Sequence, residues 1–273
     1  MAGPDPLVDA WIGAVLARHR QAYSPAEFLK AIRALSARYV ERRAQLPHHS
    51  PTDSAGKRAA FAAFFAPLHF LTAQGICIEG GLAAAPVDHL VDLGCGTGAV
   101  GAAWAHAAGG HTAGTRPAIT GVDKQGWCLD EARQTWRAFG LAGRGVRGDL
   151  QVSADKLLRD PAVADRRRVG VVLAWSVNEL DAPARQRLLP AIVGLARAGH
   201  PLLLIEPLAR GMSPWWDDWA AALAPAGAQA QDWKFVVELP PALAAIDEAA
   251  GFRREGLGAR AIISRRRGDE GTR

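Results

Sequence analysis

The chain has 273 residues, of which 49% are hydrophobic and 22% are charged, which fits one large α/β domain or a domain with a smaller appendage. It has no run of eighteen apolar residues and no basic leader, so neither a membrane span nor a secretory signal is expected and the predicted location is cytoplasmic. The net charge of +5 and the isoelectric point of about 9.5 are compatible with an RNA partner. The basic residues include three short runs, Arg42–Arg43, Arg166–Arg168 and Arg265–Arg267. Such short basic runs are more often solvated surface than binding sites.

The first part of the chain carries helical signals and no strong strand signal. Apolar residues recur at helical spacing over residues 8–20, 25–45 and 56–75. Ser24 is placed to cap a helix that begins at Pro25, and Glu27 adds negative charge to its first turn. The pattern predicts a helical appendage over residues 1–85, which could cover a pocket, and a main domain over residues 86–273.

The main domain begins with alternating strands and helices. Continuous apolar runs indicate strands that are covered on both faces, and intervening helices are typical of a parallel, doubly wound sheet. The predicted strands end in the sequences VDLG, GVDK, RGDL, LAWS and LIEP. The fold class is therefore predicted as α/β, with a mostly parallel, doubly wound, seven-stranded sheet.

The last part of the chain has a different pattern. The sequence ALAAIDEAAG predicts a helix that ends at Gly251, and residues 252–267 predict two strands joined around Gly258. The sheet is therefore expected to end in an antiparallel hairpin.

A glycine-rich loop, Val91–Gly98 (VDLGCGTG), follows the first predicted strand. Gly94 permits a tight turn, while Gly96 and Gly98 let the backbone approach a ligand without a Cβ in the way. The expected terminal hairpin disfavours a nicotinamide-dependent oxidoreductase. A nucleotide-like ligand is therefore predicted at the start of the following helix.

Two aspartates follow the loop at the ends of the next two strands. Asp123 lies 25 residues after Gly98, and Asp149 ends the sequence VRGD; either one alone could simply be a turn residue or a helix cap. The loop, the two aspartates and the terminal hairpin resemble the class I methyltransferases that use S-adenosyl-L-methionine. The resemblance implies that Asp123 accepts the ribose hydroxyls, that Asp149 accepts the adenine amino group, and that the cofactor contacts are Asp92, Gly94, Cys95, Gly96, Gly98, Asp123, Lys124, Asp149, Leu150, Trp175 and Ser176.

The catalytic residues are predicted at the end of the fourth strand, across the switch point from the loop. Methyl transfer needs an acceptor aligned with the methyl carbon and sometimes a base. Asn178 could hydrogen-bond an amine or a hydroxyl, and Glu179 could act as the base or anchor an arginine. The alternative is that Asn178 fills a turn and Glu179 caps the next helix.

Four further residues are candidates for contact with the methyl acceptor. Glu206 ends the fifth strand, and Trp215 and Trp216 belong to a tryptophan-rich segment that could stack a planar substrate. His69 could reach the pocket from the appendage. Packing in a core is the simpler expectation for each tryptophan, and a satisfied core histidine is the simpler expectation for His69.

A narrower resemblance rests on Ser176–Leu180 (SVNEL), on Leu35–Tyr39 (LSARY), on Glu206-Pro207 and on Asp232–Phe235 (DWKF). These motifs are similar to those of the methyltransferase-like family that is associated with the mitochondrial small ribosomal subunit, which has bacterial members. That family has a cysteine cluster, but here no cysteine follows Cys128. The three cysteines also match no zinc pattern, so no metal site is predicted.

Three functions remain open from the sequence. The first is a methyltransferase that acts on RNA or on a ribosomal component, which the basic isoelectric point and the narrower resemblance favour. The second is a methyltransferase of a small aromatic or amine metabolite, which the tryptophan-rich segment favours. The third is a cofactor-binding ribosome assembly factor without catalysis.

Overall fold

The structure is a computed structural model, which describes residues 5–41, 52–109, 116–159 and 169–265. Of the three basic runs, the described part contains only Arg265; the other arginines of those runs lie outside it.

The helices are amphipathic or Ala-rich segments, and side chains cap the first turns of several of them, among them Asp5, Ser54 and Asp181. Ser24 and Glu27 form the predicted cap, because the Glu27 N–H donates to Ser24 Oγ at 3.3 Å and the Ser24 N–H donates to Glu27 Oε2 at 2.9 Å. The nine helices of the described residues are α1 Pro6–Arg20, α2 Pro25–Glu41, α3 Ala55–Glu79 with a π-helical turn at Phe61–Phe65, α4 Ala99–Gly109, α5 Gly126–Ala138, α6 Leu150–Arg159, α7 Ala182–Arg197, α8 Trp216–Leu223 and α9 Pro241–Ala250.

Seven strands of the described residues form one sheet. They are β1 His89–Leu93, β2 Ala118–Asp123, β3 Gly143–Arg147, β4 Val169–Ala174, β5 Leu202–Glu206, β6 Gln229–Phe235 and β7 Leu257–Ser264. Their order is β3-β2-β1-β4-β5-β7-β6, with parallel pairing from β3 to β5 and antiparallel pairing of β5 with β7. The predicted doubly wound, seven-stranded sheet is thereby confirmed. The strand order reverses between β1 and β4, so a crevice is expected outside the carboxyl ends of these two strands.

The predicted hairpin around Gly258 is wrong in its detail. Residues 252–256 form no strand, and β7 lies between β5 and β6, both of which come before α9 in the chain. Gly258 lies within β7, where a Cβ would meet the Trp233 carbonyl oxygen at 2.8 Å and Leu208 at 2.7 Å. Gly258 therefore allows two chain segments to approach each other closely and does not form a turn.

The described chain divides into two compact units. One contains Met1–Leu71 with Lys234–Leu257, and the other contains Thr72–Trp233 with Gly258–Arg273. In the helical unit, the Trp11 and Phe70 rings lie 5.1 Å apart, and Arg33 donates to the carbonyl oxygens of Ala249 and Ala250. The division predicted at residue 85 stays a prediction.

Within the sheet unit, the parallel strands β1, β4 and β5 are buried almost throughout. Their aliphatic side chains pack with those of α7 and α8 in one core, which includes Leu173, Ile192, Leu204 and Trp219. This burial fixes the carboxyl ends of the strands, where the candidate site lies.

One helix of the described residues, α3, is long and apolar enough to cross a membrane by length and composition alone. Its most apolar window has a mean hydropathy of 1.6, and 67% of that window is buried within the structure. Such burial is typical of a core helix in a globular protein, and the absence of a membrane span stays a prediction.

Candidate active site

The glycine-rich loop between β1 and α4 needs glycine at three positions. Gly94, Gly96 and Gly98 have φ of 76°, 51° and 74°, which is the left-handed region. A Cβ on Gly94 would lie 2.6 Å from Ser176 Cβ, so the loop passes directly against the turn after β4. The loop is also tied to β2, because the Gly94 N–H donates to the Val122 carbonyl oxygen at 2.8 Å.

Asp123, at the end of β2, holds the loop through its carboxylate. The Gly96 N–H donates to Asp123 Oδ2 at 3.0 Å, and the Gln125 N–H donates to Oδ1 at 2.8 Å. Burial raises the pKa of Asp123, against the effect of these two N–H groups. Each carboxylate oxygen has a second lone pair, so the group can still accept two hydroxyls. The structure thus brings Asp123 to the loop, as the predicted ribose contact requires.

Asp149 lies two residues beyond the end of β3 and caps α6. Its Oδ1 accepts the Gln151 N–H at 2.8 Å, and its Oδ2 lies 2.7 Å from Lys124 Nζ. Burial alone would raise the pKa of Asp149, but the Lys124 ammonium and the Gln151 N–H hold it below its usual range. The helix-cap alternative therefore describes part of what Asp149 does. Leu150, the next residue, is buried.

Asp92 and Cys95 support the loop from inside the fold. Asp92 Oδ2 accepts the Gly101 N–H at 3.1 Å, and this bond ties β1 to α4. Burial, reinforced by the Asp123 charge, raises the pKa of Asp92 to about 7. The Cys95 N–H donates to the Val122 carbonyl oxygen at 3.0 Å, and its thiol is buried. Both residues are buried, and their predicted contact with a cofactor stays a prediction.

The turn after β4 starts with a strained residue. Trp175 has φ of 51°, which is uncommon for a residue with a bulky side chain and is frequently found at functional sites. Its N–H donates to the Ile205 carbonyl oxygen at 2.8 Å, and Ser176 Oγ donates to the Leu93 carbonyl oxygen at 3.2 Å. These bonds hold the turn against both β1 and β5.

Glu206 supports the same turn from the end of β5. It is fully buried, and its Oε1 accepts the Asn178 N–H at 3.1 Å. Among the described residues, neither Glu206 Oε2 nor Asn178 Oδ1 has a hydrogen-bond partner. Burial raises the pKa of Glu206 well above its ordinary value, and the Glu179 charge adds to this. Burial therefore favours the protonated form of this carboxyl.

Glu179 is the half-buried carboxyl of the turn. Burial raises its pKa to about 7, and the nearby Asp123 charge adds to this. A carboxyl whose pKa lies near neutrality can accept a proton at physiological pH. The structure therefore brings Asp123, Glu179 and Glu206 together at the carboxyl edge of the sheet, as predicted from their positions.

The tryptophans after β5 lie in the core of the sheet unit. Trp215 and Trp216 are only 8% and 3% exposed, and the Arg260 guanidinium lies 4.3 Å from the centre of the Trp216 ring. This environment corresponds to the packing alternative and leaves little ring surface for stacking a substrate. His69 belongs to the helical unit, where burial, followed by the Arg254 charge, lowers its pKa to about 3.

Sequence reasoning missed Trp136 on α5. Its indole Nε1 donates to the Gly98 carbonyl oxygen at 3.2 Å, and the side chain is 1% exposed. No local pattern distinguishes this tryptophan from an ordinary core residue. The described residues contain no group of three or more His, Cys, Asp or Glu side chains that could hold a metal ion.

No protein-family profile matches the chain, and no curated protein matches it. Solved structures that it resembles include the plantazolicin methyltransferase BamL in complex with a triazolic desmethylPZN analogue and S-adenosylhomocysteine. The identity is 7%, the match covers 85% of this chain and 97% of the other, and the TM-score is 0.44. An O-methyltransferase family protein from Burkholderia thailandensis has 16% identity, coverage of 84% and 64%, and a TM-score of 0.42. A TehB-like SAM-dependent methyltransferase from Corynebacterium glutamicum has 16% identity, coverage of 72% and 89%, and a TM-score of 0.38.

Proposed function

We propose that the chain is an S-adenosyl-L-methionine-dependent methyltransferase. The observation that carries this proposal is the bond from the Gly96 N–H to Asp123 Oδ2 at 3.0 Å. This bond joins the glycine-rich loop, which has three glycines with left-handed φ and directly precedes α4, to the Asp123 carboxylate at the end of β2. The loop and the helix N-terminus fit an anion such as the methionine carboxylate, and Asp123 fits a pair of ribose hydroxyls.

The bound cofactor would supply an activated methyl group on a sulfonium. The protein then has to place an acceptor and to take up its proton, and we assign these two tasks to Asn178 and Glu179. Asn178 Oδ1 is an acceptor without a partner among the described residues, and the pKa of Glu179 is raised to about 7 by burial and by Asp123. Acceptor oxygens and carboxyls favour a substrate nitrogen that carries a hydrogen.

For the acceptor itself we propose RNA or a ribosome-related component. The isoelectric point of about 9.5 supports an anionic partner, and the SVNEL and DWKF motifs support the ribosomal resemblance. The second candidate is a small amine metabolite, which Glu179 favours because the carboxylate form of this side chain would attract a cation.

Binding of S-adenosylhomocysteine, measured by titration calorimetry, tests the shared premise. The parent chain is expected to bind, and Asp123→Ala is expected to lose about tenfold or more in affinity, because hydrogen bonds to a charged group are removed. Asp130→Ala is the matched control, since this carboxylate lies on α5 with its side chain 71% exposed. Equal affinity of Asp123→Ala and the parent would contradict the cofactor placement.

The acceptor is tested by incubating the chain with labelled methyl donor and cell extract, followed by fractionation. Label in RNA supports the first acceptor class, and label in small molecules supports the second. Cofactor binding without label in any fraction would support the non-catalytic assembly factor instead.

A further inference from the structure

Trp136 occupies a slot that three glycines of the sheet unit leave open for it. A Cβ on Gly98 would lie 2.7 Å from Trp136 Nε1, and one on Gly121 would lie 2.7 Å from its Cη2. A Cβ on Gly143 would lie closer still to the six-membered ring. These glycines come from the cofactor loop, from β2 and from β3, and any side chain on them would have to displace the indole.

The polar end of the indole reaches the loop. Trp136 Nε1 donates to the Gly98 carbonyl oxygen at 3.2 Å, and the Ala102 N–H donates to the same oxygen at 3.1 Å. Gly98 directly precedes α4, so this carbonyl belongs to the peptide that opens the helix. Two donors therefore fix the orientation of the peptide between Gly98 and Ala99.

The orientation of this peptide matters for a ligand. In a trans peptide the N–H and the C=O point in opposite directions. When the Gly98 carbonyl is held by Trp136 and Ala102, the Ala99 N–H is turned away from them. The first N–H groups of a helix have no partner within the helix and are the groups that bind an anion.

We propose that Trp136 is a positioning residue for the cofactor. It holds the Gly98 peptide in an orientation in which the first N–H groups of α4 face the ligand. The proposal rests on the proposed function, because it takes the glycine-rich loop as the cofactor site. Beyond that function, the proposal names a residue behind the loop that affects cofactor affinity. Trp136 is 1% exposed, so it acts without touching the bound ligand.

Trp136→Phe keeps an aromatic ring and removes the N–H donor. Its affinity for S-adenosylhomocysteine is expected to fall about fivefold, which is the usual effect of one neutral hydrogen bond. The matched control is Trp104→Phe: Trp104 is also fully buried, its Nε1 donates to the Leu82 carbonyl oxygen at 3.0 Å, and its ring lies over Gly170. The control should lose stability to a similar extent and keep the parent affinity within about twofold.

A second pair of variants tests the slot from β3, without a change in the loop or in Trp136. Gly143→Ala would push against the indole, whereas Gly145→Ala, on the same strand, would meet Leu129 at 3.3 Å. Weaker binding is expected for Gly143→Ala alone. If Trp136→Phe does not fold, Gly143→Ala and Gly145→Ala test the positioning role of Trp136 in its place.

The proposal is overturned if folded Trp136→Phe and Gly143→Ala bind as the parent does, or if either control weakens binding equally. Hydrogen exchange of residues 94–102 separates this outcome from failure of the proposed function. Faster exchange in Trp136→Phe but not in Trp104→Phe supports the positioning role even if the parent binds no S-adenosylhomocysteine. Equal exchange in both variants overturns it.

Discussion

The carboxyl edge of the sheet has two halves, one at the ends of β2 and β3 and the other at the ends of β4 and β5, and their acidic side chains lie in different environments. Beyond β2 and β3, Asp123 and Asp149 accept backbone N–H groups, so the loop and the start of α6 are already in place without a ligand. Beyond β4 and β5, Glu179 and Glu206 are buried close to each other, and burial raises the pKa of both. The first half is organised to bind, whereas the second half holds carboxyls whose protonation can change.

This contrast assigns separate tasks to the two halves. A carboxylate whose oxygens accept backbone N–H groups is fixed in place and can accept hydroxyls with its remaining lone pairs, while a carboxyl with a pKa near 7 can exchange a proton with a substrate. Changes in the second half should therefore affect turnover or the turn after β4, and changes in the first half should affect cofactor affinity.

The largest effect is expected from Glu179→Gln. Loss of a positioned base typically slows proton transfer by about 100-fold to 10,000-fold, so labelling of the accepting fraction should fall in this range. The affinity for S-adenosylhomocysteine should stay within a few-fold of the parent. Turnover equal to that of the parent would show that the proton leaves by another route.

The pH dependence of the same reaction follows from the pKa of Glu179, which burial, followed by Asp123, raises to about 7. Only the carboxylate form accepts a proton, so turnover of the parent should rise as pH increases through about 7. The residual turnover of Glu179→Gln should lack this rise.

A smaller effect is expected from Glu206→Ala, and it should appear in stability. The variant leaves the buried N–H of Asn178 without its acceptor, which costs about 1–3 kcal/mol, and opens a cavity in addition. Glu206→Gln retains an acceptor oxygen and resembles the neutral acid, so its free energy of unfolding should lie within about 1 kcal/mol of the parent.

Chemical denaturation at pH 7 measures this difference. If Glu206→Gln loses as much stability as Glu206→Ala, then Glu206 is ionised in the folded protein and the proposed contrast between the two halves is wrong.

The same contrast explains what sequence could predict. The strands β1, β2, β4 and β5 were predictable because buried parallel strands are continuous apolar runs, and the loop was predictable because left-handed positions require glycine. The strand β3 (GRGVR) is mostly exposed, and only its end was predicted, from the sequence VRGDL. The strand β6 (QAQDWKF) was missed, since an edge strand with mostly exposed side chains has no apolar run. Local pattern therefore located the cofactor half better than the far edge of the sheet.

Long-range contacts explain the remaining gaps. Glu206 was placed at the end of β5, but its bond to the Asn178 N–H joins residues 28 apart. The slot of Trp136 likewise depends on glycines from three separate segments. Such contacts depend on the register of neighbouring strands, which a single sequence does not specify.

The smallest effect is expected from Lys124→Ala in the cofactor half. Lys124 Nζ lies 2.7 Å from Asp149 Oδ2, but the lysine side chain is 65% exposed, and exposed ion pairs contribute at most about 1 kcal/mol. Asp149 would keep the Gln151 N–H and would stay available to an adenine amino group. The affinity for S-adenosylhomocysteine should therefore change by about threefold or less, and the change should shrink further in high salt. A loss of more than tenfold that persists in high salt would instead support the direct contact between Lys124 and the cofactor that the sequence predicted, and the first half would then depend on this exposed side chain as well as on fixed N–H groups.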